Sequence, residues 1–88
     1  MEITLNYFSQ IRQLAGTGTE TVEVNEGATV AEVLATLQYG DKFKELLLDE
    51  GSAIRSTIMP VVNGQSANGE QVLNDGDEVS LFAPIAGG

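Results

Sequence analysis

The sequence predicts an α+β fold in which one β-sheet carries a helix across one face. Three observations support this prediction: two alternating apolar segments near the N-terminus, one segment with helical spacing of its apolar residues, and short alternating segments towards the C-terminus. A sheet with one apolar face and a helix with one apolar stripe bury both by packing together. A chain of 88 residues is long enough for one such domain.

Two strands are predicted at the N-terminus. Residues 2–8 alternate in polarity, with apolar side chains at every second position from Ile3 to Tyr7. A connection rich in glycine follows at residues 16–18, and residues 19–24 then alternate in the same way. We therefore expect the two segments to pair as an antiparallel hairpin.

A helix is predicted to begin at Thr29. The Thr29 hydroxyl can accept a hydrogen bond from a first-turn amide while Glu32 reaches back, the arrangement of a capping box. Gly40 is expected to end this helix, and a further short helix is expected at residues 41–48. The apolar stripe of the first helix consists of Val30, Val33, Leu34 and Leu37.

In the C-terminal half, the sequence predicts two longer strands joined by a short, poorly ordered ribbon at residues 65–73. The first strand covers residues 57–62, where Pro60 lacks an N–H and argues for an edge or a bulge. The last strand covers residues 78–84. Turns are expected at Asn63-Gly64, Asn68-Gly69 and Asp75-Gly76. Hairpin, helix and further strands follow one another in the order of the β-grasp fold.

The composition excludes several classes of chemistry. The chain has no cysteine and no histidine, so it offers no thiolate nucleophile, disulfide, imidazole base or zinc site of the usual ligands. The acidic residues around the last turn, Asp75, Asp77 and Glu78, lack the ligand spacing of a calcium loop and are expected to form the turn itself. We expect no metal and no bound cofactor.

The charge balance bears on the partners of the protein. Thirteen acidic and four basic residues give a formal net charge of −9, which would repel the phosphates of nucleic acids. An acidic surface can steer the protein towards basic partners or can simply keep it in solution, and both explanations stay open. No apolar stretch approaches the roughly 20 residues of a membrane span, and the first residues do not resemble a signal peptide. A cytoplasmic location is expected.

The sequence after the last strand has features of a C-terminal tail with a function. We expect a domain at residues 1–84 and a flexible tail at 85–88, with Pro84 helping to aim it. Without side chains, Gly87 and Gly88 can pass through a channel too narrow for a Cβ atom. The terminal carboxylate is ionised at neutral pH, and adenylation by ATP would turn it into an electrophile. The alternative is a frayed end without a role.

Segments spread over most of the chain are similar to one family, the MoaD and ThiS group of ubiquitin-like sulfur carriers. The segment from Phe8 to Gly16 resembles the F-A-x-x-R-E-x-x-G segment of the MoaD members. Departures from the family pattern include Gln13, which replaces a usual glutamate, and Ala83, which replaces the first proline of the P-P-x-x-G-G tail. The other similar segments are Gly27–Val30, Val61–Gly64, Leu73–Val79 and Gly87-Gly88.

The resemblance implies a role in molybdenum cofactor biosynthesis. A MoeB-like adenylyltransferase would use ATP to activate Gly88, which would become a thiocarboxylate. Its sulfur would pass to cyclic pyranopterin monophosphate inside a heterotetramer of molybdopterin synthase, built with a MoaE-like large subunit. The implied partner contacts are Phe8, Arg12, Phe82, Pro84, Ile85 and Ala86.

Alternatives remain for the residues and for the function. Phe8 and Phe82 can instead close the edge of a small core, and Arg12 can be an ordinary solvated residue. The competing functions are a ThiS-like carrier for thiamine synthesis and a ubiquitin-like modifier or tRNA-thiolation carrier. A further alternative is a plain binding module whose terminal glycines are incidental. ThiS-like chains are usually shorter and lack the F-x-x-x-R pattern, which favours the MoaD-like function.

Overall fold

The computed structural model describes residues 1–83, which form one mixed sheet and three helices. The strand order is β2-β1-β5-β3-β4, with β1 and β5 parallel at the centre and the other neighbours antiparallel. This confirms the predicted α+β arrangement. The elements in chain order are β1 (Glu2–Tyr7), α1 (Ser9–Ala15), β2 (Thr19–Glu23), α2 (Val30–Thr36), α3 (Asp41–Leu47), β3 (Met59–Val62), β4 (Gln65–Ser66) and β5 (Glu78–Phe82).

One apolar core joins the inner face of the sheet to the helices. The predicted stripe of α2 is buried along its whole length, which confirms the helical spacing read from the sequence. No helix within residues 1–83 is long and apolar enough to cross a membrane. The fully buried side chains with the largest volumes are Tyr7, Phe43, Ile3, Leu5, Ile11, Leu34, Leu47, Leu73 and Leu81.

Helix α2 begins with the predicted capping box. The Glu32 N–H donates to the Thr29 hydroxyl at 3.2 Å, and the Thr29 N–H donates to the Glu32 carboxylate at 2.9 Å. The predicted end at Gly40 is wrong, because the backbone becomes extended at Leu37. Gly40 instead precedes α3 with a φ of 97°, a conformation that glycine adopts without strain.

Helix α1 was not predicted, because the segment from Phe8 to Gly16 was interpreted as a family motif and only the glycine-rich residues 16–18 as the connection between two strands. Ile11 is buried, and Leu14 and Ala15 pack partly buried against the core, a spacing of three and four residues that indicates a helix. The helix ends at Gly16, which has a φ of 79° and donates its N–H to the Arg12 carbonyl at 2.9 Å. Strands β1 and β2 pair antiparallel as expected, but the connection between them contains this helix.

The three turns predicted in the C-terminal half are all present, but one of them is not of the hairpin type. Asn63 and Gly64 have φ values of 51° and 84°, as the hairpin turn between β3 and β4 requires. Gly76 also adopts a positive φ of 87°. Asn68-Gly69 begins a turn in which the Gln71 N–H donates to the Asn68 carbonyl at 3.2 Å, but this turn does not join two paired strands. The Asn68 side chain also accepts from the Glu70 N–H at 2.9 Å.

The acidic residues before β5 hold the turn together, as the sequence analysis expected. Asp75 accepts from the Glu2 N–H at 2.7 Å, and Asp77 accepts from the Asn74 N–H at 2.7 Å and from the Asn63 amide at 2.8 Å. Each carboxylate therefore satisfies backbone or side-chain donors of neighbouring segments, which fixes the entry into β5.

Two expectations about the third strand and the ribbon need correction. Strand β3 is not an edge, because β4 pairs outside it. Pro60 is tolerated because its backbone faces the side of β4 and not β5, at a position opposite Ala67 where β4 has already ended and no donor is needed. The Ala67 N–H donates to the Pro60 carbonyl at 2.9 Å. The ribbon is anchored at its C-terminal end, since Leu73 is buried and donates its N–H to the Ala28 carbonyl at 2.9 Å.

A polar cluster crosses the inner face beside the apolar core. The phenols of Tyr7 and Tyr39 both donate to the Glu20 carboxylate, Tyr7 at 2.6 Å. Burial is the larger cause and this hydrogen bond the second of a raised pKa in both phenols. The pKa of Tyr39 is raised to about 12, and the pKa of Tyr7 is raised further. The rings of Tyr7, Tyr39 and Phe43 meet edge to face. The cluster connects β1 and β2 to the segment between α2 and α3.

The titration of the two tyrosines tests this cluster. They are the only tyrosines of the chain, so all tyrosinate absorbance reports on them. The unfolded chain releases the phenolic protons near the ordinary pKa of 10.0, before the folded chain does. We therefore expect their contribution to stability to be complete below about pH 10 and to decline as the pH rises towards the folded pKa values.

The measurement is tyrosinate absorbance and circular dichroism on the same sample during an alkaline titration. Tyr39→Phe should remove the absorbance that appears near pH 12 and leave the later change of Tyr7. Ionisation of both tyrosines near pH 10 in a chain that retains its circular dichroism would contradict the buried, hydrogen-bonded arrangement.

Candidate functional site

The candidate site lies where β5 leads towards the predicted tail. Strand β5 is central, and Leu81 pairs with Tyr7 of β1 on one side and Pro60 of β3 on the other. Val79 and Leu81 are buried and Phe82 is exposed, as the predicted alternation requires. The predicted site residues of the tail lie outside the described residues, as does the predicted boundary between residues 84 and 85. These residues are Pro84, Ile85, Ala86, Gly87 and Gly88.

An outer apolar stripe, formed by Phe8, Phe82 and Met59, crosses the ends of β1, β5 and β3. The rings of Phe8 and Phe82 stack with centroids 4.6 Å apart and planes 7° from parallel. Met59 pairs with Phe82 in the register of β3 and β5. Their exposed fractions are 41%, 37% and 60% respectively, large for apolar side chains. The stripe therefore faces away from the core.

The exposure of the stripe decides between two expectations for the phenylalanines. Neither Phe8 nor Phe82 belongs to the buried core or to the partly buried residues packed against it, so the idea that they close its edge is wrong. Polar groups border the stripe: the Asn6 amide donates to Glu78 at 3.0 Å and to Ser80 at 3.3 Å. Apolar patches with a polar rim of this kind mark interaction sites.

Arg12 lies on α1, within one turn of Phe8. Its N–H donates to the Phe8 carbonyl at 3.4 Å, and its side chain is exposed. The guanidinium lies against Gly18, where an added Cβ would come within 3.2 Å of the Arg12 Nε atom. The missing side chain of Gly18 thus makes room for the arginine. The structure brings Phe8, Phe82 and Arg12 to the same end of the sheet.

Met59 was not predicted as a member of the site. Its neighbours Ile58 and Pro60 are buried, so Met59 points outwards by the alternation of the strand. The same signal that selected Phe82 in β5 is therefore present in the predicted strand at residues 57–62. Only the register between β3 and β5, which places Met59 beside Phe82, was not readable from the sequence.

Comparison with known proteins gives one family match over nearly the whole chain. The ThiS family matches residues 5–88, which includes the terminal glycines. The chain is 34% identical to small archaeal modifier protein 3 of Haloferax volcanii, with all of both chains covered. It is 31% identical to the molybdopterin synthase sulfur carrier subunit of Haemophilus influenzae, over 93% of this chain and 94% of that protein.

Solved structures share the fold. SAMP1 from Haloferax volcanii superposes with a TM-score of 0.86 at 26% identity, with all of both chains covered. Subunit 1 in the complex of subunits 1 and 2 of the molybdopterin-converting factor of Helicobacter pylori matches with a TM-score of 0.63 at 25% identity, again over both full chains. The mixed sheet is thus the predicted ubiquitin-like β-grasp fold, and the chain belongs to the ThiS family.

Proposed function

We propose that this protein is the sulfur-carrier subunit of a molybdopterin synthase and that Gly88 carries the sulfur. The observation that supports this most strongly is the outer apolar stripe at the end of β5, immediately before the segment that leads to Gly87 and Gly88. A docking surface beside the start of the tail would bring a partner's active site within reach of the terminal carboxylate. The family match, which continues through Gly88, supports the same role.

The proposed chemistry takes place at the terminal carboxylate. Its oxygen attacks the α-phosphate of ATP on a MoeB-like adenylyltransferase, which releases pyrophosphate and leaves an acyl-adenylate. A sulfide-level donor then displaces AMP and leaves a thiocarboxylate on Gly88. This sulfur attacks an electrophilic carbon of cyclic pyranopterin monophosphate, an oxygen substituent of that carbon departs, and a thioester joins the two molecules. Water then cleaves the acyl–sulfur bond, which leaves the sulfur on the substrate and returns the carboxylate of Gly88. The partner uses the ATP, and this chain supplies the group that is activated.

The outer apolar stripe is proposed to bind two partners in turn. It would pack on the adenylyltransferase during activation and on a MoaE-like large subunit during sulfur transfer, with Arg12 at the rim. The Helicobacter pylori complex supports the second contact, because a protein of the same fold is assembled there with the second subunit of its converting factor. The proposal keeps the cytoplasmic location expected from the sequence.

A second candidate function is a ubiquitin-like modifier. The match to small archaeal modifier protein 3 supports it, at 34% identity over the full chain. In that function the activated Gly88 would form an isopeptide bond with a lysine of another protein. A ThiS-like thiamine carrier would share the thiocarboxylate and differ only in the acceptor. A plain binding module is not favoured, because the family match includes the terminal glycines.

Sulfur loading tests the proposed function directly. We incubate the protein with a cognate adenylyltransferase, ATP and a sulfur donor, and we measure the intact mass and fragment the C-terminal peptide. One oxygen should be replaced by one sulfur, located on Gly88, because the chain has no cysteine that could hold a persulfide. The loaded protein should then convert the pyranopterin precursor to molybdopterin when the large subunit is added.

The outcomes of this experiment separate the candidates. A thiocarboxylate that forms without molybdopterin synthesis would contradict the proposed acceptor and favour a thiamine or tRNA carrier. A tail found only in isopeptide linkage to lysine would favour the modifier. A reaction without ATP is the control, since the protein in it should show no change in mass.

Truncation of Phe82 tests the docking surface. Phe82→Ala should weaken binding to the large subunit by upward of about 2 kcal/mol, as interface aromatics commonly do. The free energy of unfolding should fall by about 1 kcal/mol or less, because the side chain is exposed and loses mainly its stacking on Phe8. Calorimetric titration and denaturant unfolding give the two numbers.

The matched control is Val72→Ala, which removes another exposed apolar side chain, 52% accessible, outside the outer apolar stripe. It should leave binding unchanged. If Phe82→Ala unfolds far more easily and still binds normally, Phe82 has a structural role and the stripe is not the docking surface.

A further inference from the structure

The edge of the sheet formed by β2 is accompanied by an open groove. Strand β2 is the first strand of the order β2-β1-β5-β3-β4, and within residues 1–83 it has a strand neighbour, β1, on one side alone. The groove, about 630 Å³ in volume, lies between the end of β2, the turn that follows it and one side of α2. We call it the β2 groove. Its acidic lining residues are Glu23, Glu26 and Glu32, and its apolar ones are Val24, Ala28, Val33 and Ala35.

The backbone of β2 directs unpaired groups to this edge. The Val24 N–H donates to the Met1 carbonyl at 2.8 Å, and the Tyr7 N–H donates to the Gly18 carbonyl at 2.8 Å. Hydrogen-bonded pairs alternate along an antiparallel ladder, so the even positions of β2 bond to β1 and the odd positions face outwards. Thr21 and Glu23 therefore each present one N–H and one C=O at the free edge.

The β2 edge lacks the usual protection against a further strand. Edge strands are commonly blocked by proline, lysine, an inward-pointing charge or a bulge. Residues 19–23 contain no proline or lysine, and β2 pairs with β1 without interruption. The inward-facing charge of this strand, Glu20, is already bonded to the phenols of Tyr7 and Tyr39, so it does not block the edge. The edge carries two threonines, which favour strands. The opposite edge, β4, has only two residues, so β2 is the longer edge available for pairing.

The charge around the β2 groove selects the kind of partner. None of the described residues that line the groove is basic. Glu23 also stands directly opposite Glu2 in the register of β1 and β2, a like-charge pair that is unfavourable on one face of a sheet. The N-terminal ammonium approaches Glu23 at 3.4 Å, but the carboxylate stays largely exposed. A lysine or arginine of an added strand would compensate this charge.

We propose that the β2 groove binds an extended segment of a partner protein in which apolar residues alternate with lysine or arginine. The segment adds as a strand to β2, its backbone bonding to Thr21 and Glu23. Its apolar side chains continue the inner face towards Val24 and Ala35, and its basic side chains meet the glutamates. A second copy of this chain does not fit, because each copy carries a net charge of −9.

The β2 groove and the outer apolar stripe lie at opposite ends of β1. Glu23 pairs with Glu2 at the start of β1, and Phe8 follows its end at Tyr7. Six residues of strand place the two about 20 Å apart. The two sites can therefore be occupied at the same time, and binding at the β2 groove is independent of the proposed sulfur chemistry.

The probe for this proposal is a peptide of about eight residues, a normal strand length, in which lysine alternates with valine. Affinity is measured by fluorescence anisotropy, and the contact is mapped by amide hydrogen exchange. The peptide should protect the Thr21 and Glu23 amides. Peptides in which glutamate replaces lysine, or in which proline replaces two valines, are the controls and should not bind.

Two variants test the two components of the site. Thr21→Pro removes an N–H that faces away from β1, so the ladder to β1 is retained, and affinity should fall about tenfold, equivalent to about 1.4 kcal/mol. A double variant with Glu23→Gln and Glu26→Gln leaves the backbone N–H and C=O groups of β2 unchanged and removes two negative charges. It should weaken binding about fivefold at low salt. The matched control pair is Glu45→Gln and Glu50→Gln, which changes the net charge equally outside the groove.

Three results would overturn the proposal. Equal weakening by the control pair would show that the peptide responds only to net charge. Peptide-bound protein with unprotected Thr21 and Glu23 amides would place the contact elsewhere. Protection of the same amides without peptide, together with a dimer in sedimentation, would show that the β2 edge pairs with a second copy.

Discussion

The structure depends on the parallel pairing of the first and last strands at the centre of the sheet. Thr4 to Tyr7 pair in register with Glu78 to Leu81, so Phe8 and Phe82 follow as neighbours and stack. A shift of one residue would turn Leu81 outwards and Phe82 into the core, because side chains alternate between faces. This register therefore determines the core, the outer apolar stripe and the place where the chain continues towards Gly88.

Stability and proposed chemistry occupy different parts of the chain. The buried apolar core extends from Ile3 to Leu81, and each fully buried aliphatic side chain contributes about 1.5 to 3 kcal/mol. Within residues 1–83 no charged residue is buried, and the side-chain polar atoms that are buried have partners. The described domain thus resembles a stable support with an apolar docking surface, and a partner would provide the catalytic groups for a reaction at Gly88.

The sequence predicted the fold class, the capping box at Thr29 and the faces of the strands, because alternation and helical spacing are local signals. It did not predict helix α1, because the segment from Phe8 to Gly16 was interpreted as a family motif. The helical spacing of Ile11 and Leu14 within this segment was overlooked. The outer apolar stripe was predicted in part. The stacking of its rings and the place of Met59 depend on pairing between strands far apart in the sequence, which local patterns do not contain.

The most direct test of this account is to delete Gly88 and measure thermal unfolding and ATP-dependent adenylation on the same preparation. Among residues 1–83 the buried core ends at Leu81, well before Gly88, so the melting temperature should stay within a degree or so of that of the intact protein, while adenylation should be lost. Replacement of Ser56, an exposed residue, by glycine provides a control that should be adenylated normally. Normal adenylation of the chain without Gly88 would contradict the central claim that the terminal glycine is the group that is activated.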